Sequence, residues 1–187
     1  MRGIKWDKLL SIEETKNLAE TVRKFANKGN MAEVGVFEGD SAEVICENKG
    51  TSKLYLFDTF EGIPDMLSLP RDEKFKVGQF KADFSKVSKR LNYPNIFILK
   101  GLFPSDTGDI IDSLKFSFVH IDVDIYKSAK DSLMFFLPKM EDDGIIILHD
   151  FGNTGVDVAL AEVEKIYDFK TKLKKPSQIF ISGVRKK

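Results

Sequence analysis

Cysteine occurs once in 187 residues, as Cys46. One thiol cannot close an internal disulfide, so nothing points to an oxidising compartment. Cys46 stands among Val44, Ile45 and Glu47 in a helical pattern, where a buried, inert thiol is the ordinary reading. No apolar run approaches the ~18 residues of a membrane span, and the N-terminus has no signal-peptide core. Net charge is also absent, because 29 basic residues cancel 29 acidic ones. No global field recruits nucleic acid or an anionic membrane. The lysines of 170–175 and the terminal R-K-K read as solvated surface or tail. The expectation is a soluble cytoplasmic protein with neither nucleic acid nor membrane as partner. Histidine occurs only twice, as His120 and His149.

What is present is ordinary globular material, 42% apolar and 31% charged, in a length that suits a single domain over 1–187. Ser11 and Glu14 have capping-box spacing, and Leu18, Ala19, Val22 and Phe25 then share a helical face. This predicts an N-terminal helical segment within 1–30. Strands are predicted at 31–37, 53–60, 95–100, 115–121 and 144–149, with helices at 41–48 and 83–91 and another running from Ser128 to Leu137. The stretch E-D-D-G before 144 reads as a turn. Val156, Ala159, Leu160, Val163 and Ile166 mark a further helix face. Late strand candidates near 166–173 and 178–184 suit a hairpin at a sheet edge. Residues 61–80, with Gly62, Pro64, Pro70 and Gly78, form the longest stretch without a period, which suits a lid loop.

Continuous apolar strands separated by helices argue for a parallel sheet covered on both faces, a doubly wound α/β domain. Ligands of such sheets bind at the carboxyl ends of the strands. In E33-V-G-V-F-E-G-D-S41, Gly35 and Gly39 sit four apart at a strand-to-helix crossing. Glycine there permits a tight turn and close approach of a ligand. The spacing is not G-x-G-x-x-G, which argues against an NAD-dependent dehydrogenase. Asp58 ends the next strand, where an acid commonly accepts from ribose hydroxyls. Alone, the glycine pair is only a tight turn; with Asp58 it points to a nucleoside-type cofactor.

Five segments then resemble one family. E33–S41 is similar to motif I of the class I S-adenosylmethionine-dependent methyltransferases. F57-D-T-F-E-G-I-P64, K100-G-L-F-P-S-D-T107, H120-I-D-V-D-I-Y-K-S128 and G144-I-I-I-L-H-D-F151 resemble segments of the macrocin O-methyltransferase group, in the expected order. The resemblance implies a Rossmann-like, mostly parallel sheet with a terminal antiparallel strand, and S-adenosylmethionine as cofactor. Carried over by position, Glu33, Gly35, Gly39 and Ser41 belong to the methionine end of the cofactor site. Asp58 would bind the ribose, Thr59 and Phe60 would border the adenosine, and Gly101 and Leu102 would lie near the adenine. Glu38 either reaches the cofactor's ammonium group or points to solvent.

The acids carry the chemistry. Strand alternation predicts that His120, Asp122 and Asp124 share one face, while His149 and Asp150 end the following strand. The resemblance implies a divalent metal, Mg²⁺ or Mn²⁺, held by Asp122, His149 and Asp150. Such an ion orients acceptor hydroxyls and lowers the pKa of one. Relatives usually carry Asp where His149 stands, and the lost negative charge favours a softer ion than Mg²⁺. In the alternative, His149 is a general base without a metal. The bland alternative has Asp122 and Asp124 capping turns or pairing with Lys127 and Lys130. Ile125 occupies the position of the catalytic lysine of catechol-type relatives. That leaves His120 or Lys127 as substitutes, though His120 also suits a satisfied core position. The resulting expectation is an O-methyltransferase acting on a small hydroxylated acceptor of sugar or phenol type, as a homodimer. Two other classes stay open: a nucleotide-sugar transferase using D122-V-D124, and a silent nucleoside-binding or protein-interaction domain.

Overall fold

A computed structural model describes residues 10–66, 68–152, 154–174 and 176–187. The expected N-terminal segment over 1–30 is therefore described only from Leu10 onward. Seven strands form one sheet in the order β3-β2-β1-β4-β5-β7-β6. Strands β1 (Asn30–Val34), β2 (Leu54–Asp58), β3 (Ile96–Lys100), β4 (Phe116–Ile121) and β5 (Met140–Leu148) pair in parallel. The late hairpin of β6 (Tyr167–Lys174) and β7 (Gln178–Lys186) joins antiparallel through β7, which lies between β5 and β6.

Two apolar layers cover the sheet. On one face α1 (Ile12–Phe25) and α2 (Asp40–Asn48) pack Leu18, Val22 and Ile45 onto Met31, Leu54, Phe118 and Ile147. On the other, α4 (Tyr126–Phe136) and α5 (Gly155–Val163) pack Leu133, Phe136, Ala159 and Val163 onto Val119, Ile121 and Ile146. The short α3 (Phe84–Arg90) adds Val87 to the first layer. This is why the central strands read as unbroken apolar runs: both faces of β1, β2 and β4 are buried.

Several local expectations change. The stretch E-D-D-G is not a turn but part of β5, where the pairing with β4 slips between Phe116 and Phe118. Ile166 lies beyond the end of α5 and is 39% exposed. Ser128 does not cap α4, which begins two residues earlier; it is buried in the first turn. The backbone N–H of Tyr126 instead donates to both carboxylate oxygens of Asp72, at 3.2 and 3.3 Å. Asp72 is fully buried, although it comes from the 61–80 loop. That loop is also pinched at its base, where Ile63 and Gly78–Gln79 exchange backbone hydrogen bonds of 2.8 and 2.9 Å. Arg71 approaches Asp157 of α5 at 3.7 Å. The loop is thus strapped to α4 and α5, the two helices that follow β4 and β5.

Candidate active site

The carboxyl ends of β1, β2, β4 and β5 open onto one cavity of about 300 Å³. Its floor is laid by backbone crossings. The Asp122 N–H donates to the Val34 carbonyl, and the His149 N–H to the Ile121 carbonyl, each at 2.9 Å. Gly35 has φ +90°, and a Cβ there would stand 1.7 Å from the Asp122 carbonyl oxygen. Its lack of a side chain is required by the neighbouring strand.

Asp58 knits the glycine turn together. One of its oxygens accepts from the N–H groups of Val36 and Phe37 at 2.7 and 2.8 Å, and the other from Phe60 at 2.6 Å. Phe37, Phe60 and Phe80 all carry positive φ, a costly state for a bulky residue. Phe37 and Phe80 line the cavity, and their side chains on its wall meet edge to face. Asp58→Ala removes the acceptor of three charge-assisted hydrogen bonds. It should lower stability by on the order of 2 kcal/mol and weaken cofactor binding tenfold or more. Urea denaturation and calorimetric titration read the two effects separately.

Of the residues singled out from sequence, Gly35, Glu38, Ser41, Asp58, Thr59, Gly101, Leu102, Asp122, His149 and Asp150 line the cavity. Glu33, Gly39, Phe60 and His120 do not. Gly39 is the left-handed N-cap of α2, and Phe60 is a buried anchor packed against Phe84. Glu33 and His120 are fully buried on the α1–α2 face, 2.8 Å apart through Oε1 and Nδ1. Burial pushes the Glu33 carboxyl up, against the opposing pull of His120. Strand alternation fails beyond Ile121, where β4 ends. Asp124 takes φ +64° and turns onto the cavity wall, while His120 stays inside.

Asp122, His149 and Asp150 converge. The Nδ1 atom of His149 lies 3.1 Å from Asp122 Oδ1 and 3.1 Å from Asp150 Oδ1. Neither contact has hydrogen-bond geometry, which leaves Nδ1 a buried polar atom without a partner, and Asp150 Oδ2 is another. The opposite ring nitrogen, Nε2, meets Glu14 Oε1 at 3.2 Å. Sequence spacing had marked Glu14 only as a helix cap. Lys127 is committed to Asp131, and Lys130 to Glu162 at 2.6 Å, so neither neutralises the acids.

The electrostatics follow from this crowding. Burial disfavours a charged His149 ring, but the Asp122 and Asp150 carboxylates push it up to about 11. Burial, with the Asp150 and Asp122 charges, drives Asp124 up to about 8. Despite its burial, Asp122 is held well below the usual carboxylate range by the His149 charge. A ring more basic folded than unfolded stabilises fully below its ordinary value of about 6.5 and loses that contribution as pH rises. Ionising Asp124 in the fold acts in the same direction. With metal chelated, the melting temperature should therefore fall between about pH 7 and pH 10. His149→Gln should remove most of that slope; an unchanged slope would show that the ring does not carry it.

A family model described as macrocin O-methyltransferase (TylF) matches residues 10–180. The chain belongs to the macrocin O-methyltransferase family. The O-methyltransferase NovP shares the fold at a TM-score of 0.81 and 19% identity, over 95% of this chain and 82% of NovP. The calicheamicin methyltransferase CalS11 aligns at 0.72 and 16%, over 90% and 76%. An O-methyltransferase from Bacillus cereus, solved in complex with SAH, aligns at 0.60 and 13%, over 92% and 82%. No curated protein matches by sequence. As a member of the macrocin O-methyltransferase family, the chain is an S-adenosylmethionine-dependent O-methyltransferase. Its sheet, with one antiparallel strand brought in by the C-terminal hairpin, has the methyltransferase form of the Rossmann-like fold.

Proposed function

We propose that this enzyme methylates a hydroxyl of a small neutral acceptor, a sugar or phenol, with a divalent ion at Asp122, His149 and Asp150. The observation that carries the reading is the meeting of Asp122 Oδ1, Asp150 Oδ1 and His149 Nδ1, each oxygen 3.1 Å from the nitrogen, with Nδ1 and Asp150 Oδ2 left without a hydrogen-bond partner. Without an ion the ring carries a proton between the two carboxylates, and a divalent cation would take the place of that charge at the neutral ring. Ligands bonded at about 2.1 Å and at right angles to one another lie about 3 Å apart, so the spacing suits a first-row ion. One nitrogen and two oxygens favour Mn²⁺ over Mg²⁺. When bound, the ion supplies Lewis acidity that lowers the pKa of a coordinated hydroxyl.

The chain's own groups do the rest. Glycine-turn backbone and Asp58, whose Oδ1 keeps one acceptor site, hold the cofactor's ribose side. Asp122 and Asp150 fix the acceptor oxygen in line with the methyl group, and alignment is most of what a displacement of this kind needs. Carboxylates of Glu38, Asp40, Asp58, Asp122, Asp124 and Asp150 line the cavity, and among the described residues no lysine or arginine does. That wall suits a cationic sulfonium cofactor and disfavours a phosphorylated acceptor. CalS11 is described as a TDP-rhamnose 3′-O-methyltransferase; here the sugar hydroxyl fits the wall better than the diphosphate.

Methyl transfer from S-adenosylmethionine to a panel of neutral sugars and phenols, each beside a phosphorylated analogue, tests this. Chelation should lower turnover at least tenfold, Mn²⁺ should restore it better than Mg²⁺, and neutral acceptors should be preferred. Turnover indifferent to chelator would overturn the ion, and preference for phosphorylated acceptors would overturn the acceptor class.

A further inference from the structure

Glu14 lies 135 residues before His149 in the chain, yet its carboxylate meets the ring of His149. The two oxygens of Glu14 face different ways. Oε2 closes the capping box, taking the Ser11 N–H at 3.0 Å and the Ser11 hydroxyl at 2.8 Å. Oε1 takes the Ser177 hydroxyl at 2.7 Å and the Ser177 N–H at 3.2 Å, and stands 3.2 Å from His149 Nε2. Glu14 is 3% exposed and His149 8%. A helix cap needs only the first oxygen. The second carries a buried link between α1, the turn of the β6–β7 hairpin and the end of β5.

We propose that Glu14 is a positioning residue of the active site: through His149 Nε2 it fixes the ring so that Nδ1 faces Asp122 and Asp150. The inference rests on the ion reading given above. A histidine whose outer nitrogen donates to a carboxylate is fixed in one tautomer and one orientation, and its inner nitrogen becomes the better donor to an ion. An aspartate at position 149 would need no such partner, because its carboxylate has no tautomer to fix. Glu14 is therefore what lets a histidine serve at that position. The α1 segment contributes to the site without lining the cavity.

The experiment is calorimetric titration of the full chain with Mn²⁺ alone, for the wild type, Glu14→Ala, Glu14→Gln and Ser11→Ala, with S-adenosylhomocysteine affinity measured in parallel. Ser11→Ala loses the hydroxyl's bond to Oε2 and its acceptance of the Glu14 N–H, and leaves the Oε1 side in place, so it reports what the side-chain cap is worth. Glu14→Ala is expected to weaken Mn²⁺ binding by about 10- to 100-fold, the usual effect of removing a carboxylate behind a metal-bound histidine. Glu14→Gln keeps size and cap but loses the charge; it should weaken binding by at least about threefold and remains readable if the alanine variant does not fold. Ser11→Ala should bind Mn²⁺ as the wild type does, and S-adenosylhomocysteine affinity should hold throughout. Mn²⁺ affinity unchanged in both Glu14 variants, or lost equally in Ser11→Ala, would overturn the role of Glu14. A wild type that binds no Mn²⁺ would overturn the ion reading itself, and this inference with it.

Discussion

Asp122→Asn should lower the turnover of methyl transfer by on the order of a thousandfold while changing S-adenosylhomocysteine affinity by less than about threefold. Asp122 stands at the end of the central strand β4, with its carboxylate 3.1 Å from His149 Nδ1. Its charge is the most firmly held of the cluster, since the His149 charge keeps it well below the usual carboxylate range despite burial. Asparagine preserves size and one acceptor oxygen but removes the negative charge that a deprotonating hydroxyl or a bound ion needs. The cofactor, held on the β1 and β2 side, should hardly register the change. Steady-state kinetics and a binding titration of the same preparation decide the matter. A variant that turns over normally would remove Asp122 from the chemistry, and one that also loses cofactor binding would show a collapsed site.

Among the described glycines, Gly35→Ala should be the most disruptive methyl addition. The new Cβ would stand 1.7 Å from the Asp122 carbonyl oxygen and 2.7 Å from its carbon, on a backbone with φ +90°. No rotamer relieves a clash with main chain, so β1 and β4 must separate at the floor of the cavity. A loss of about 3 kcal/mol or more is expected, from overpacking and left-handed strain together. Gly152→Ala is the control: φ is +133° but nothing lies within 4 Å of the added carbon. Strain alone, on the order of 1 kcal/mol, should be its whole effect. Equal denaturation midpoints for the two variants would contradict the packing argument.

Legibility from sequence followed the range of the interaction. The Ser11–Glu14 cap spans three residues, and spacing alone located it. The second oxygen of Glu14 meets His149 and Ser177, and nothing local announces either contact. Strand ends were readable from apolar runs, so the placing of Gly35, Asp58, Asp122 and His149 on one rim was readable too. Two of the three partners of Asp58 were not, because the Val36 and Phe37 N–H groups come from the loop after a different strand. The same holds for Asp72, which serves the N-terminus of α4 from 54 residues upstream and displaces Ser128 from that task. Parity misled only where the strand stopped: extended past Ile121, it grouped His120 with Asp124, which the chain's turn at Asp124 separates. A signal for Glu14 was present nonetheless. A histidine at an expected metal position calls for a carboxylate on its other nitrogen.

Calorimetric titration with S-adenosylhomocysteine, repeated with Mn²⁺ present and with NAD as the control ligand, tests the central claim most directly. The account predicts a dissociation constant of about a micromolar for S-adenosylhomocysteine and no binding of NAD. Absence of S-adenosylhomocysteine binding under every condition would contradict it.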